Sequence, residues 1–138
     1  MKLVNNNIKE RIQDTLMKTL QITFIETDDP LSIEAVMPVG VHNSQTRQVL
    51  HGGATIALAE SVAGVGSNIL SSEEEATYGL QISANHISIA KMGDTVRAIG
   101  TILHKGKSTH VWNVDVISES TGKMISSVRV TNAVLKKA

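Results

Sequence analysis

The chain has 138 residues, the length of one ordinary domain, and its 13 basic and 13 acidic side chains cancel, so charge points to neither nucleic acid nor a membrane surface. Charged residues are 19 % and hydrophobic ones 41 %, a foldable balance, and only Phe24, Tyr78 and Trp112 are aromatic, too few for a base-stacking platform. The absence of cysteine excludes disulfides, Cys-ligated zinc and a thiol nucleophile, and it fits a reducing cytoplasm.

The first 14 residues, MKLVNNNIKERIQD, hold no apolar segment of the signal-peptide kind. No window is expected to supply the roughly 20 apolar residues of a membrane span. Ile8, Ile12, Leu16 and Leu20 recur at steps of four, so residues 8–20 are expected to form one amphipathic helix. Residues 21–27 and 31–38 alternate around the break Asp28-Asp29-Pro30 and read as a hairpin, with Leu31, Ile33, Ala35 and Met37 on one face. The polar stretch 38–50 reads as a loop long enough to be functional.

Residues 53–70 change the pattern. They are Ala, Ile, Leu and Val without strict alternation, and their length favours a buried helix of roughly 27 Å. Beyond it, 78–90, 94–105, 108–120 and 123–135 read as four strands joined by short turns. Three consecutive hairpins predict an antiparallel meander. The expected architecture is a single α+β domain over residues 1–138, with a curved antiparallel sheet around the long helix.

The chemistry concentrates in the stretch HGGATIALAE, from His51 to Glu60. Glu60 is the only charged residue between Gly52 and Ser72. A carboxylate in so apolar a helix is expected to lose hydration, and its pKa should rise toward the range useful to a base or nucleophile. Gly52 and Gly53 open the helix, where free backbone N–H groups and the dipole can polarise a carbonyl oxygen. Glu60 lies roughly 10 Å further along, so one helix cannot bring both groups to one carbon. Two helices side by side in a two-fold dimer can, and the dimer then holds two shared sites.

These residues, HGGATIALAESVAG after QTRQVL, resemble the hotdog-fold acyl-CoA thioesterases. They look most like the branch of the 4-hydroxybenzoyl-CoA and 1,4-dihydroxy-2-naphthoyl-CoA thioesterases that uses a helix glutamate. ISANHISIA, ILHKGKSTHVW and SSVRVTNAVL extend the likeness in the expected order. The resemblance implies hydrolysis of an acyl-CoA, with an aromatic acyl group favoured. It implies that Glu60 is nucleophile or general base, that the Gly52 amide of another subunit polarises the carbonyl, and that His51 and Gln45 position the thioester. It also implies a homodimer, commonly paired into a tetramer. CoA would lie near Asn85, His86, Ser88 and Lys91 and near Gly106, Lys107, Ser108, Thr109 and His110. Small residues Ala57, Ala63 and Gly64 would border the acyl pocket.

One departure stands out. The family often carries Ser or Thr four residues after the acid, where this chain has Gly64; Ser61 and Ser67 are not obvious substitutes. Several signals are discounted. GVGSN lacks a dinucleotide fingerprint's third glycine, and Ser61 lacks the glycine of a nucleophile elbow. The five histidines show no metal pair at helical spacing, so no metal and no cofactor beyond substrate CoA is expected. Glu73–Glu75 reads as a solvated helix end, and Trp112 as core or interface. A hydratase or dehydratase acting on acyl-CoA and a non-enzymatic acyl-CoA-binding domain are the alternatives; the carboxylate argues against the latter.

Overall fold

The fold is that of a computed structural model, which describes residues 1–3 and 7–138. One six-stranded antiparallel sheet curves over a long helix. Its strands are β1 (Thr23–Ile25), β2 (Ser32–Pro38), β3 (Glu75–His86), β4 (Thr95–Lys105), β5 (Thr109–Ser118) and β6 (Met124–Lys136). Helices α1 (Ile8–Arg11), α2 (Leu16–Thr19) and α3 (Gly52–Leu70) complete it, with a 3-10 turn at Val41–Asn43.

The strand order is β1-β2-β4-β5-β6-β3. The predicted three-hairpin meander is therefore corrected: β4, β5 and β6 form two hairpins, but β3 pairs with β6 and not with β4. Residues 87–94 carry the chain from one side of the sheet to the other. This places the 12-residue β3 at an edge, while the other edge is the three-residue β1.

The sheet's inner face follows strict period-two burial. On β5, His110, Trp112, Val114, Val116 and Ser118 are buried, and Ile33, Ala35 and Met37 of β2 face the same core. Leu31 falls outside that stripe and is exposed. Register breaks at Gly79/Gln81, Ile102/His104 and Val116/Ile117 increase the sheet's bend, as bulges do.

Two glycines set how closely α3 lies on the sheet. A Cβ on Gly66 would stand 2.5 Å from Trp112 Cη2, and one on Gly100 would stand 2.8 Å from Val62 Cγ1. Leu58, Ala59, Val62 and Ala63 are fully buried on this contact. α3 is not buried all round, however. Ile56, Ala57, Ser61 and Gly64 are half-buried and Glu60 is exposed, so one face remains open. By length and composition α3 is apolar enough to cross a membrane, contrary to the expectation that no segment is; it lies instead on the sheet.

The helix predicted over 8–20 is two separate turns. Asp14 adopts a left-handed φ of 59° and Thr15 is extended, so the hydrogen-bond ladder breaks between them. Ile8 and Leu20 remain buried, but Leu16 swings out to 61 % exposure. Glu75, read as part of a helix end, opens β3 and accepts the Ser72 amide at 2.9 Å.

Candidate active site

The stretch His51–Glu60 sets its candidate groups at two separate places, one at the start of α3 and one about 12 Å along it. At the first, His51 is the N-cap. Its Nδ1 accepts the Gly53 amide at 2.8 Å, and its own amide donates to the Asn43 carbonyl at 2.9 Å. The first amides of a helix have no intrahelical acceptor. Gly53 finds one in His51; the Gly52 N–H has none among the described residues. His86 packs over this end, with its Nε2 2.7 Å from where a Gly52 Cβ would stand. Any larger residue at 52 would displace the imidazole. The ring's Nδ1 is 2.7 Å from Ser126 Oγ, which fixes its plane. Gln45 lies in the preceding loop, where its Oε1 accepts the Arg47 amide at 2.5 Å.

Glu60 marks the second place. It borders an open groove of about 580 Å³, within the range of small-molecule sites, together with Ala57, Ser61, Gly64, Tyr78, Gly79 and Asn132. Ile8, Arg11, Ile12, Leu16 and Met17 of the N-terminal segment also border it. Glu60 is exposed in the single chain, so the loss of hydration expected for it has no source within one copy. Its Oε1 reaches over Gly79, 2.5 Å from the point a Cβ there would take. Ser61 also lines the groove, but its hydroxyl donates back to the Ala57 carbonyl at 2.7 Å. Ala63 is fully buried beneath the groove rather than on its wall, contrary to the expectation for it, whereas Ala57 and Gly64 line the groove.

Behind the groove is a buried polar cluster that sequence reasoning missed. Ser67 Oγ accepts Trp112 Nε1–H at 2.8 Å and Asn132 Nδ2–H at 3.0 Å, and His110 Nδ1 lies 2.9 Å away. Both Ser67 lone pairs are taken by donors that cannot accept, so its O–H must donate to His110 Nδ1. His110 is therefore neutral, with its proton on Nε2. Burial, helped by the nearby Lys105 charge, holds its pKa below the usual imidazole value. This corrects the expectation for His110: it is 2 % exposed and faces the core, away from any surface where a phosphate could dock. Gly106, Lys107, Ser108 and Thr109 do form the β4–β5 turn, with the Gly106 amide donating to the Thr109 carbonyl at 2.8 Å.

The two segments expected near CoA do not meet within one chain. Asn85 and His86 pair with Ser127 and Ser126 at the start of β6, with Ser88 and Lys91 just beyond; Thr109 pairs with Ala133 near its end. That separation is about 20 Å along the strand. Gly52 lies at the first end and Glu60 at the second. Among the described residues no three His, Cys, Asp or Glu side chains gather as metal ligands.

A model of the thioesterase superfamily matches residues 47–125. The chain is 37 % identical over 116 residues to 1,4-dihydroxy-2-naphthoyl-CoA hydrolase of Escherichia coli (strain K12), covering 84 % of this chain and 83 % of that protein. The crystal structure of thioesterase HI1161 from Haemophilus influenzae superposes with a TM-score of 0.90 at 29 % identity, covering 99 % of this chain and 92 % of that one. The thioesterase SAV0944 from Staphylococcus aureus, solved as a Gln-to-Ala variant, superposes at 0.82 with 35 % identity over 88 % of this chain and 98 % of that one. A Glu-to-Ala variant of the same protein is also solved. Matched over more than half its length, at this identity and with this superposition, the chain belongs to the thioesterase superfamily as a hotdog-fold enzyme that hydrolyses thioesters.

Proposed function

We propose that this thioesterase hydrolyses an aromatic acyl-CoA to the free acid and CoA, in sites shared between two copies of the chain. The observation that carries the reading is the separation of its two half-sites. Glu60 offers a carboxylate at the mouth of the groove, and Gly52 offers an unengaged helix N-terminal amide about 12 Å away. Thioester hydrolysis needs both a base or nucleophile and a polarised carbonyl.

The edge strand β3 supports the pairing. Its outer side is a long unpaired edge carrying Tyr78 and Leu80, each more than 60 % exposed. Such an edge is a template for a second copy. Antiparallel pairing of two β3 strands about a two-fold axis sets each Gly52–His86 end against the other copy's Glu60–Gly79 end. It also joins Asn85–Lys91 of one copy to Lys107–Thr109 of the other in a single surface for CoA. The same contact covers Glu60 and supplies the loss of hydration that one chain cannot. In each site Glu60 attacks the carbonyl or activates water, the Gly52 amide of the second copy polarises the oxygen, and His51 and Gln45 position the thioester.

The aromatic preference rests on the relatives and on the groove, where Ile8, Ile12, Leu16, Met17 and Val65 offer apolar surface and the small residues Ala57 and Gly64 leave room for a ring. The test is a panel of aromatic and aliphatic acyl-CoAs compared by kcat/KM for release of free thiol. Aromatic thioesters should lead the panel. A hydrated acyl-CoA as product, or binding without thiol release, would refute the proposal.

A further inference from the structure

Among the described residues one buried side-chain polar atom has no partner: Asn132 Oδ1. Asn132 is 1 % exposed, and a native interior seldom leaves an amide oxygen unpaired at that depth. The amide is not free to turn. Its Nδ2 donates to the Ala63 carbonyl at 3.2 Å and to Ser67 Oγ at 3.0 Å. A carbonyl can only accept, so the NH2 must face α3 and Oδ1 must point the other way.

On that side stands Gly79, at the groove that Asn132 lines together with Glu60 and Gly64, although Oδ1 itself is covered in the single chain. Gly79 is the β3 partner of Asn132 in the β3–β6 ladder. Because Gly79 has no side chain, Glu60 Oε1 and Asn132 Oδ1 stand 2.5 and 3.8 Å from the point its Cβ would occupy. Two acceptor oxygens flank one small volume.

We propose that Asn132 Oδ1, with Glu60, holds the water that attacks the thioester. Donor counting leads there. Two acceptors are satisfied by a molecule with two donors; a thioester has none, a ring hydroxyl has one, and water has two. Bound through both O–H groups, the water keeps its lone pairs for the carbonyl carbon. Glu60 takes one proton as the C–O bond forms, while the second O–H stays on Asn132. The C–S bond then breaks, and the leaving thiolate recovers the proton from Glu60. One water and one thioester give one acid and one thiol, with no other reactant. The arrangement also fills a gap in this chain. Gly64 has no hydroxyl, and nothing stands within 4 Å of where its Cβ would be.

The proposal rests on Glu60 acting as general base, so the experiment separates the two. In Asn132→Ala, kcat should fall about tenfold or more while KM for the acyl-CoA stays within about twofold. Adding Gly64→Ser should recover part of that kcat, since the new hydroxyl enters open space beside the same volume. A purely structural Asn132 would gain nothing from it. Wild-type kcat in folded Asn132→Ala, with Glu60→Gln inactive, overturns the water site and leaves the Glu60 reading intact. Wild-type kcat in Glu60→Gln removes the base itself. Should Asn132→Ala not fold, a high-resolution structure of the wild-type enzyme with a thioether analogue of its acyl-CoA decides. An ordered water in hydrogen-bond reach of both oxygens supports the proposal, and an analogue atom or an empty contact at Oδ1 overturns it.

Discussion

Gly79→Ala perturbs the proposed catalytic carboxylate without touching it. The added methyl would stand 2.5 Å from Glu60 Oε1, where ordinary contact begins at 3.4 Å. The carboxylate must therefore retreat by about 0.9 Å. A displacement near 1 Å of a reacting group can cost about a hundredfold in rate, so kcat should fall by roughly that factor. Stability should not fall with it. The obstructing atom is the end of a flexible side chain at an open groove, and replacing glycine inside a strand contributes about 0.5–1 kcal/mol by itself. The assay is thiol release at saturating acyl-CoA, beside a thermal melt of the same preparation. Wild-type kcat in a variant melting at or above the wild-type temperature would refute the assignment of catalysis to a carboxylate over Gly79.

Gly66→Ala should do the reverse. Its Cβ would meet Trp112 Cη2 at 2.5 Å inside the core, so overpacking of about 1–3 kcal/mol should exceed the roughly 1 kcal/mol gained in helix propensity; urea unfolding measures the net loss. His110 should make the fold acid-sensitive. Its folded pKa lies below the ordinary imidazole value of about 6.5 because of burial and the Lys105 charge, so the unfolded chain binds the extra proton first. Stability is then lost as pH falls below about 6.5, by at most about 1.4 kcal/mol per unit from this group. His110→Asn keeps an acceptor for the Ser67 hydroxyl and should flatten that slope in urea titrations; an unchanged slope would contradict the buried neutral imidazole.

What could be read from the sequence followed from periodicity and from chemistry that is local in the chain. The α3 stretch and strands β4 to β6 announced themselves by length and alternation. The oddity of Glu60 among apolar neighbours led to the groove. Strand pairing is not local, and that is why β3 was misplaced. Its alternation is the same whether it pairs with β4 or β6, and only the sheet as a whole decides. The break at Asp14 was likewise hidden, because apolar steps of four continue across it. Asn132 had a visible signal: in VRVTN it occupies the inward phase shared with Val128 and Val130. A lone polar residue in that phase stands out only once the partner face is known. The composition of α3 reads as buried all round, and only the folded sheet shows which of its faces is left open.

The central claim is that Glu60 drives the hydrolysis. Its most direct test is the rate of thiol release by Glu60→Gln against the wild-type enzyme on the best acyl-CoA of the panel. The substitution keeps the shape over Gly79 and removes the base. A fall in kcat of about 10²–10⁴-fold, with an unchanged melting temperature, is the expected result. Release at the wild-type rate by a folded Glu60→Gln enzyme would contradict the account.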